Sequence, residues 1–210
     1  MDIDLVRAVL LDMDGTLVDS DASVERAWMA WALRYDVDPA AVLAIAHGNP
    51  ADSTVRALRR DLDEIEVAEA AAFQLAMQYD DLVDVVAATG AHHLIETLDR
   101  HGLGWAVVTS ADRRLAAARL GAVGISAPVL VTVEDVGRGK PDPEGYLLAA
   151  RTLGVSPSSC LVVEDTETGL VAARSAGAMT AAVKGLDADM RLDNLGQLAE
   201  LIGTKPHRSS

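Results

Sequence analysis

The sequence predicts an α/β fold, a parallel sheet with helices on both faces, interrupted by an all-helical insert. Three observations predict it. Short apolar runs of strand length alternate with helical patterns along most of the 210 residues. Each helical pattern outside the insert ends at a glycine before the next apolar run. One interval, 20–88, holds helical patterns but no strand.

Taken in order, Ala8–Met13, Trp105–Thr109, Val129–Thr132, Cys160–Val163 and Met179–Val183 read as buried strands. They are mostly continuous rather than alternating in hydrophobicity, the pattern of a strand covered on both faces. Helical spacing appears in His92–His101, where Leu94, Ile95 and Leu98 share a face. It recurs in Arg113–Leu120, Glu144–Leu153 and Glu167–Ala176. Gly102, Gly121, Gly154 and Gly177 follow as stops, since glycine takes the left-handed conformation of a helix end without a Cβ clash. Strand–helix–strand repeats of this kind build a parallel sheet.

Within the insert, Ser23–Tyr35 places Val24, Trp28, Trp31 and Tyr35 on one helical face, and Ala68–Tyr79 is a second, alanine-rich helix. A loop at 47–50 (His-Gly-Asn-Pro) separates helices. The expected organisation is a core domain of 1–19 and 89–210 and a helical cap of 20–88, with Trp28 and Trp31 packed between cap helices.

Composition narrows the function. Half of the residues are hydrophobic but only 3% aromatic, so Ala, Leu and Val must fill the core. A net charge of −14 repels nucleic acid and anionic membranes. No apolar run approaches the ~18 residues of a membrane span. The acidic start at Asp2 and Asp4 does not read as a secretory signal. The single cysteine, Cys160, allows no intrachain disulfide and reads as a small core residue in a cytoplasmic protein. An anionic substrate would need help from a metal, a lysine or backbone amides.

The segment Asp12-Met13-Asp14-Gly15-Thr16 ends the first strand. Side chains alternate along a strand, so Asp12 and Asp14 are expected on one side. Two close carboxylates repel each other and lose solvation on burial, and nothing basic lies near in sequence. A hard cation with oxygen ligands relieves both problems, and Mg2+ suits a site that handles phosphate. Glu164-Asp165 follows the strand Cys160–Val163 at the same sheet edge and reads either as a helix cap or as a further ligand. Thr109-Ser110 is either a turn or a phosphate-holding pair near a helix N-terminus. Lys140 lies in a loop of two glycines and two prolines, 137–143, either solvated or held as a point cation against the carboxylates and phosphate.

In this order, Asp12–Thr16, Thr109-Ser110, Lys140-Pro141 and Glu164-Asp165 resemble the four motifs of the haloacid dehalogenase superfamily, and the insert resembles its helical cap. Within that family, Val107–Ser110, Val133–Leu148 and Val162–Gly177 resemble the sugar and polyol phosphatases. The resemblance implies a Rossmann-like core and a Mg2+-dependent phosphatase acting on a small phosphate ester through a phospho-aspartate. It implies Asp12 as nucleophile and metal ligand, and Asp14 as acid and base with its carbonyl on the metal. Thr109 or Ser110 would hold the phosphoryl group, Lys140 its charge, and Asp165 would complete the metal site with Glu164 in it or beside it. The chain is expected to act as a monomer or weak homodimer, without nucleic-acid or membrane partners.

The loop at 47–50 resembles a cap segment in which Arg commonly stands at the place of Asn49, and Ser53 stands where Asp is common. Asn49 and His47 are the candidate substrate contacts there. A β-phosphoglucomutase-like phosphomutase is the nearest alternative, but Val24 and Ala51 stand where such mutases carry His and Arg. A carbon–halogen hydrolase would lack the acid at Asp14. A receiver-type signalling domain would be shorter, without an insert, and with its acidic pair on a separate strand from the phospho-acceptor.

Overall fold

The computed structural model describes residues 2–46 and 49–204. The chain divides into two compact units, one made of the chain up to Asp19 and from Val86 onward, the other Ser20–Val85.

The first unit is built on a six-stranded parallel sheet. Its strands are β1 (Ala8–Leu11), β4 (Gly104–Val108), β5 (Leu130–Val131), β6 (Cys160–Glu164), β7 (Met179–Ala182) and β8 (Met190–Arg191). Their order is β5-β4-β1-β6-β7-β8, which puts β1 at the centre beside β4 and β6. All four residues of β1 and all five of β6 are buried, which explains their unbroken apolar runs. Helices α7 (Glu144–Thr152) and α8 (Glu167–Ser175) give Tyr146, Ala149, Ala150, Ala172 and Ala173 to one core layer with Ala8, Leu10, Ala106, Cys160 and Val162. Alternate strand residues point to the opposite face. There α5 (Ala91–Arg100) packs on β4 and on α9 (Leu195–Gly203).

Three sequence expectations about this unit need correction. The strand at Ala8–Met13 ends at Leu11, because Met13 turns to accept the N–H groups of Leu17 and Val18. Gly121 does not stop its helix: α6 runs over Arg113–Ala122, and the left-handed residue beyond it is Gly124, at φ +67°. Gly102, Gly154 and Gly177 do take left-handed conformations at helix ends. The interval 20–88 is not wholly strandless. Its end holds β3 (Val86–Ala87), paired antiparallel with β2 (Val18–Asp19). A two-residue strand is too short to show a period.

The second unit is all helical: α1 (Asp21–Tyr35), α2 (Pro39–Ala46), α3 (Ala51–Leu58) and α4 (Glu64–Tyr79). Trp28 and Trp31 are buried in its core with Val42, Val55, Val67 and Ala70. Their rings meet edge to face with centroids 5.4 Å apart, and Trp31 Nε1 donates to the Ala70 carbonyl at 3.1 Å. Helix α4 starts four residues before the expected Ala68. The Asp63 carboxylate accepts from Ile65 and Glu66 N–H groups, and Glu66 returns a bond to the Asp63 N–H.

Glycine substitutions should separate two roles of that residue. At Gly90 (φ +84°) a Cβ would lie 2.0 Å from the Gly196 backbone nitrogen, whereas at Gly121 it would meet nothing within 4 Å. Urea unfolding should show Gly90→Ala destabilised by about 2 kcal/mol or more. Gly121→Ala, in a helix, should be stabilised by about 0.5–1 kcal/mol. Burial pushes the Cys160 thiol up to about 11. A thiol-reactive chromogen at pH 8 should leave it unmodified in the native protein and label it in urea.

Candidate active site

Parallel strands end on one rim, and the motif residues gather there because β4, β1 and β6 are adjacent. Asp12 follows β1 directly, and its N–H donates to the Val163 carbonyl at 3.0 Å, extending the ladder one residue beyond the strand. Gly15, at φ +79°, then turns the chain, its N–H reaching the Val18 carbonyl at 2.8 Å. A side chain there would be strained at this φ, and its Cβ would lie 2.1 Å from Asp165 Oδ2 and displace that carboxylate.

Lys140 is the hub. Its Nζ donates to Asp12 Oδ1 at 2.5 Å, Glu164 Oε1 at 2.6 Å and the Val108 carbonyl at 3.0 Å, which uses all three ammonium hydrogens. The side chain is 10% exposed, so the open question of a solvated or held lysine resolves to a held one. The loop before it is tied down by Glu144, whose carboxylate accepts from the Gly137 and Arg138 N–H groups at 3.1 and 3.0 Å.

Glu164 and Asp165 divide their work. Glu164 is wholly buried, and its Oε1 also accepts from the Tyr146 hydroxyl at 2.6 Å. Its other oxygen accepts from the Thr166 hydroxyl at 3.0 Å and from the N–H groups of Asp165 and Thr166. Protein donors thus surround Glu164. Asp165 has a Lys184 Nζ 3.1 Å from Oδ2, while its Oδ1 is buried without a hydrogen-bond partner among the described residues. The capping alternative for Asp165 fails, because Thr166 caps α8 by accepting from the Gly169 N–H.

The carboxylates that converge are Asp12, Glu164 and Asp165, one oxygen from each lying within 4.8 Å of the others. Asp14 is not among them. The Asp14 carboxylate instead pairs with Arg119 at 2.6 Å, and that guanidinium side chain is only 2% exposed. The pair of aspartates is also not left without cations: Lys140 and Arg119, distant in sequence, each serve one.

Burial pushes Asp12 well above the usual carboxylate range, and the neighbouring Glu164 and Asp165 push the same way against the pull of Lys140. Burial raises Asp165 too, with Lys184 opposing. Burial disfavours the Lys140 ammonium, yet Asp12 and Glu164 outweigh it and hold the group charged. Asp12 and Glu164 share the buried Lys140 ammonium and Asp165 faces the half-exposed Lys184, so three carboxylates meet two ammonium groups and the cluster carries surplus negative charge. An all-oxygen donor set with an orphaned, buried Asp165 oxygen fits a hard divalent cation.

Thr109 is buried at the end of β4, its Oγ1 accepting from the Ala111 N–H at 3.0 Å in a turn; Ser110 is exposed beside it. Helix α6 is capped by Asp112, not by this pair. Asn49 lies in the helical unit, its amide donating to the Ile45 carbonyl at 2.7 Å. His47 lies outside the described residues.

Sequence reading missed Arg119, Tyr146 and Lys184. Arg119 carried a signal, a charged residue in the buried stripe of Leu115, Ala116 and Leu120. Tyr146 and Lys184 carried none.

Comparison with known proteins bears on this site. A model of haloacid dehalogenase-like hydrolases matches residues 6–177. The chain is 40% identical to hexitol phosphatase A of Escherichia coli (strain K12), over 84% of this chain and 82% of that protein. It is 35% identical to validoxylamine A 7'-phosphate phosphatase of Streptomyces hygroscopicus subsp. limoneus, over 82% and 83% respectively. A solved hydrolase from Pseudomonas syringae shares the fold at a TM-score of 0.83 and 26% identity, covering 93% of this chain and 97% of that one. Since the match runs from the strand that leads into Asp12 to the helix behind Asp165, the chain belongs to the haloacid dehalogenase-like hydrolase family.

Proposed function

We propose that the protein is a Mg2+-dependent phosphatase that hydrolyses a small sugar or polyol phosphate through a phospho-aspartate on Asp12. The environment of Asp12 carries this reading: a buried carboxylate, paired to a fixed lysine, beside a second carboxylate with a vacant oxygen. Two relatives named as phosphatases, one of hexitols and one of validoxylamine A 7'-phosphate, support the reaction class.

In the proposed reaction an Asp12 oxygen attacks phosphorus in line, and the bond from phosphorus to the substrate oxygen breaks. Asp14 gives that oxygen its proton. It then takes a proton from the water that attacks the phospho-aspartate, releasing phosphate and restoring Asp12. Lys140, already against Asp12, follows the charge onto the phosphoryl oxygens. Thr109 accepts a backbone N–H, which leaves its hydroxyl hydrogen for a phosphoryl oxygen, and Ser110 is a second donor. Mg2+ held by Asp12 and Asp165, with the Asp14 carbonyl, would supply the positive charge that keeps Asp12 ionised and offsets the phosphate dianion. Glu164 would act beside the metal, by holding Lys140. The insert, 20–88, would act as the cap, with Asn49 and His47 contacting substrate hydroxyls. The same reading has the enzyme acting in the cytoplasm as a monomer or weak homodimer.

A panel of hexitol, hexose and glycerol phosphates, assayed with Mg2+ and with EDTA, should show phosphate release from at least one ester only when Mg2+ is present. Isomerisation primed by a sugar bisphosphate, without phosphate release, would establish the mutase alternative instead. Asp12→Asn should lower turnover by on the order of 10⁴-fold or more, as loss of a covalent nucleophile does. Undiminished turnover in that variant would remove Asp12 from the role.

A further inference from the structure

Lys184 lies just past β7, in a turn fixed to the rim of the sheet. The Val183 N–H donates to the Glu164 carbonyl at 2.9 Å, so residues 183–184 sit beside 164–165. Lys184 itself is at φ +58°, a left-handed conformation uncommon for a residue bearing a Cβ, and Gly185 follows at φ +76°. The Lys184 ammonium is 3.1 Å from Asp165 Oδ2. Both groups crowd the turn after Asp12, since a Cβ at Gly15 would lie 2.8 Å from Lys184 Nζ.

The two lysines of the rim differ in kind. Lys140 is 10% exposed and bound to three acceptors, whereas the Lys184 side chain is 44% exposed and in reach of water. Charge makes the distinction matter. With all three carboxylates ionised, Lys140 cancels one negative charge and a divalent cation the remaining two. A retained Lys184 would then be surplus positive charge beside the cation.

We propose that Lys184 is the resident counter-ion of Asp165 and competes with the divalent cation for that carboxylate, so that its ammonium sets how tightly the site binds metal. The proposal rests on the cation reading given above and adds a residue that weakens binding rather than one that supports it. Such a competitor offsets part of the rim's negative charge without metal, and makes occupancy responsive to the free cation concentration.

Mn2+, whose free ion gives a paramagnetic resonance signal, probes binding without turnover. Titrations compare the wild-type protein with Lys184→Asn and Lys184→Gly, which remove the charge and tolerate the left-handed backbone, and with Lys184→Arg, which keeps the charge. The two neutral variants should bind Mn2+ about two- to fivefold more tightly than wild type, the range of a partly exposed ion pair. Lys184→Arg should match wild type, and the difference should shrink as salt is raised. Magnesium should displace the Mn2+ with the same order of affinities. Equal or weaker Mn2+ binding by both neutral variants would overturn the proposal. No Mn2+ binding by wild type would instead overturn the cation site itself, a failure told apart from the first by this control.

Discussion

The arrangement depends on one ammonium. Lys140 bridges Asp12, Glu164 and the end of β4, joining the three adjacent strands that carry the motif residues. Removing one partner from such a buried pair typically costs about 3–5 kcal/mol, because the other charge is stranded. The neighbours of Glu164 follow from this constraint. Tyr146 satisfies the oxygen shared with Lys140, Thr166 and two backbone N–H groups satisfy the other, and Gly169 leaves room where a Cβ would fall 1.8 Å from the carboxylate. Structure that looks like packing is here the cost of holding charge out of water.

Three carboxylates against one fixed lysine leave the rim short of positive charge, and that shortage links fold to chemistry. Burial alone would push Asp12 towards its neutral form, a poor nucleophile. A cation corrects the balance at the place where a phosphate ester brings further negative charge. Arg119 draws the Asp14 carboxylate out of this competition, so that two aspartates two residues apart have separate environments. Neighbouring groups with the same chemistry are thereby given different work.

Much of the fold was legible because continuous apolar runs and helix-ending glycines reflect burial and backbone conformation residue by residue. Trp28 and Trp31 read as core and are core. Boundaries were less legible. Asp12 was read into its strand from the apolar run around it, whereas β1 stops at Leu11 and only the Asp12 N–H continues the ladder, to Val163. Gly121 was read as a stop, although glycine is tolerated within a helix and Gly124 supplies the left-handed residue. The cap at Asp63 and Glu66 was present in the sequence, but its capping box went unread. At the site, the motif residues were legible by type and order. Of the cations that serve them Lys140 was legible, but Arg119 and Lys184 were not, because they reach the rim from elements far away in the chain.

By itself the sequence determined the parallel α/β fold, the helical insert and the identity of the acidic and basic motif residues. Each of these is written in local pattern: hydrophobic period, turn chemistry and residue type. Only the tertiary structure decided which carboxylates meet. It grouped Glu164, not Asp14, with Asp12 and Asp165, and it gave each aspartate its own cation. That outcome turns on where β1 stops and on Arg119 of α6 reaching Asp14, properties of packing among distant segments that no single segment contains.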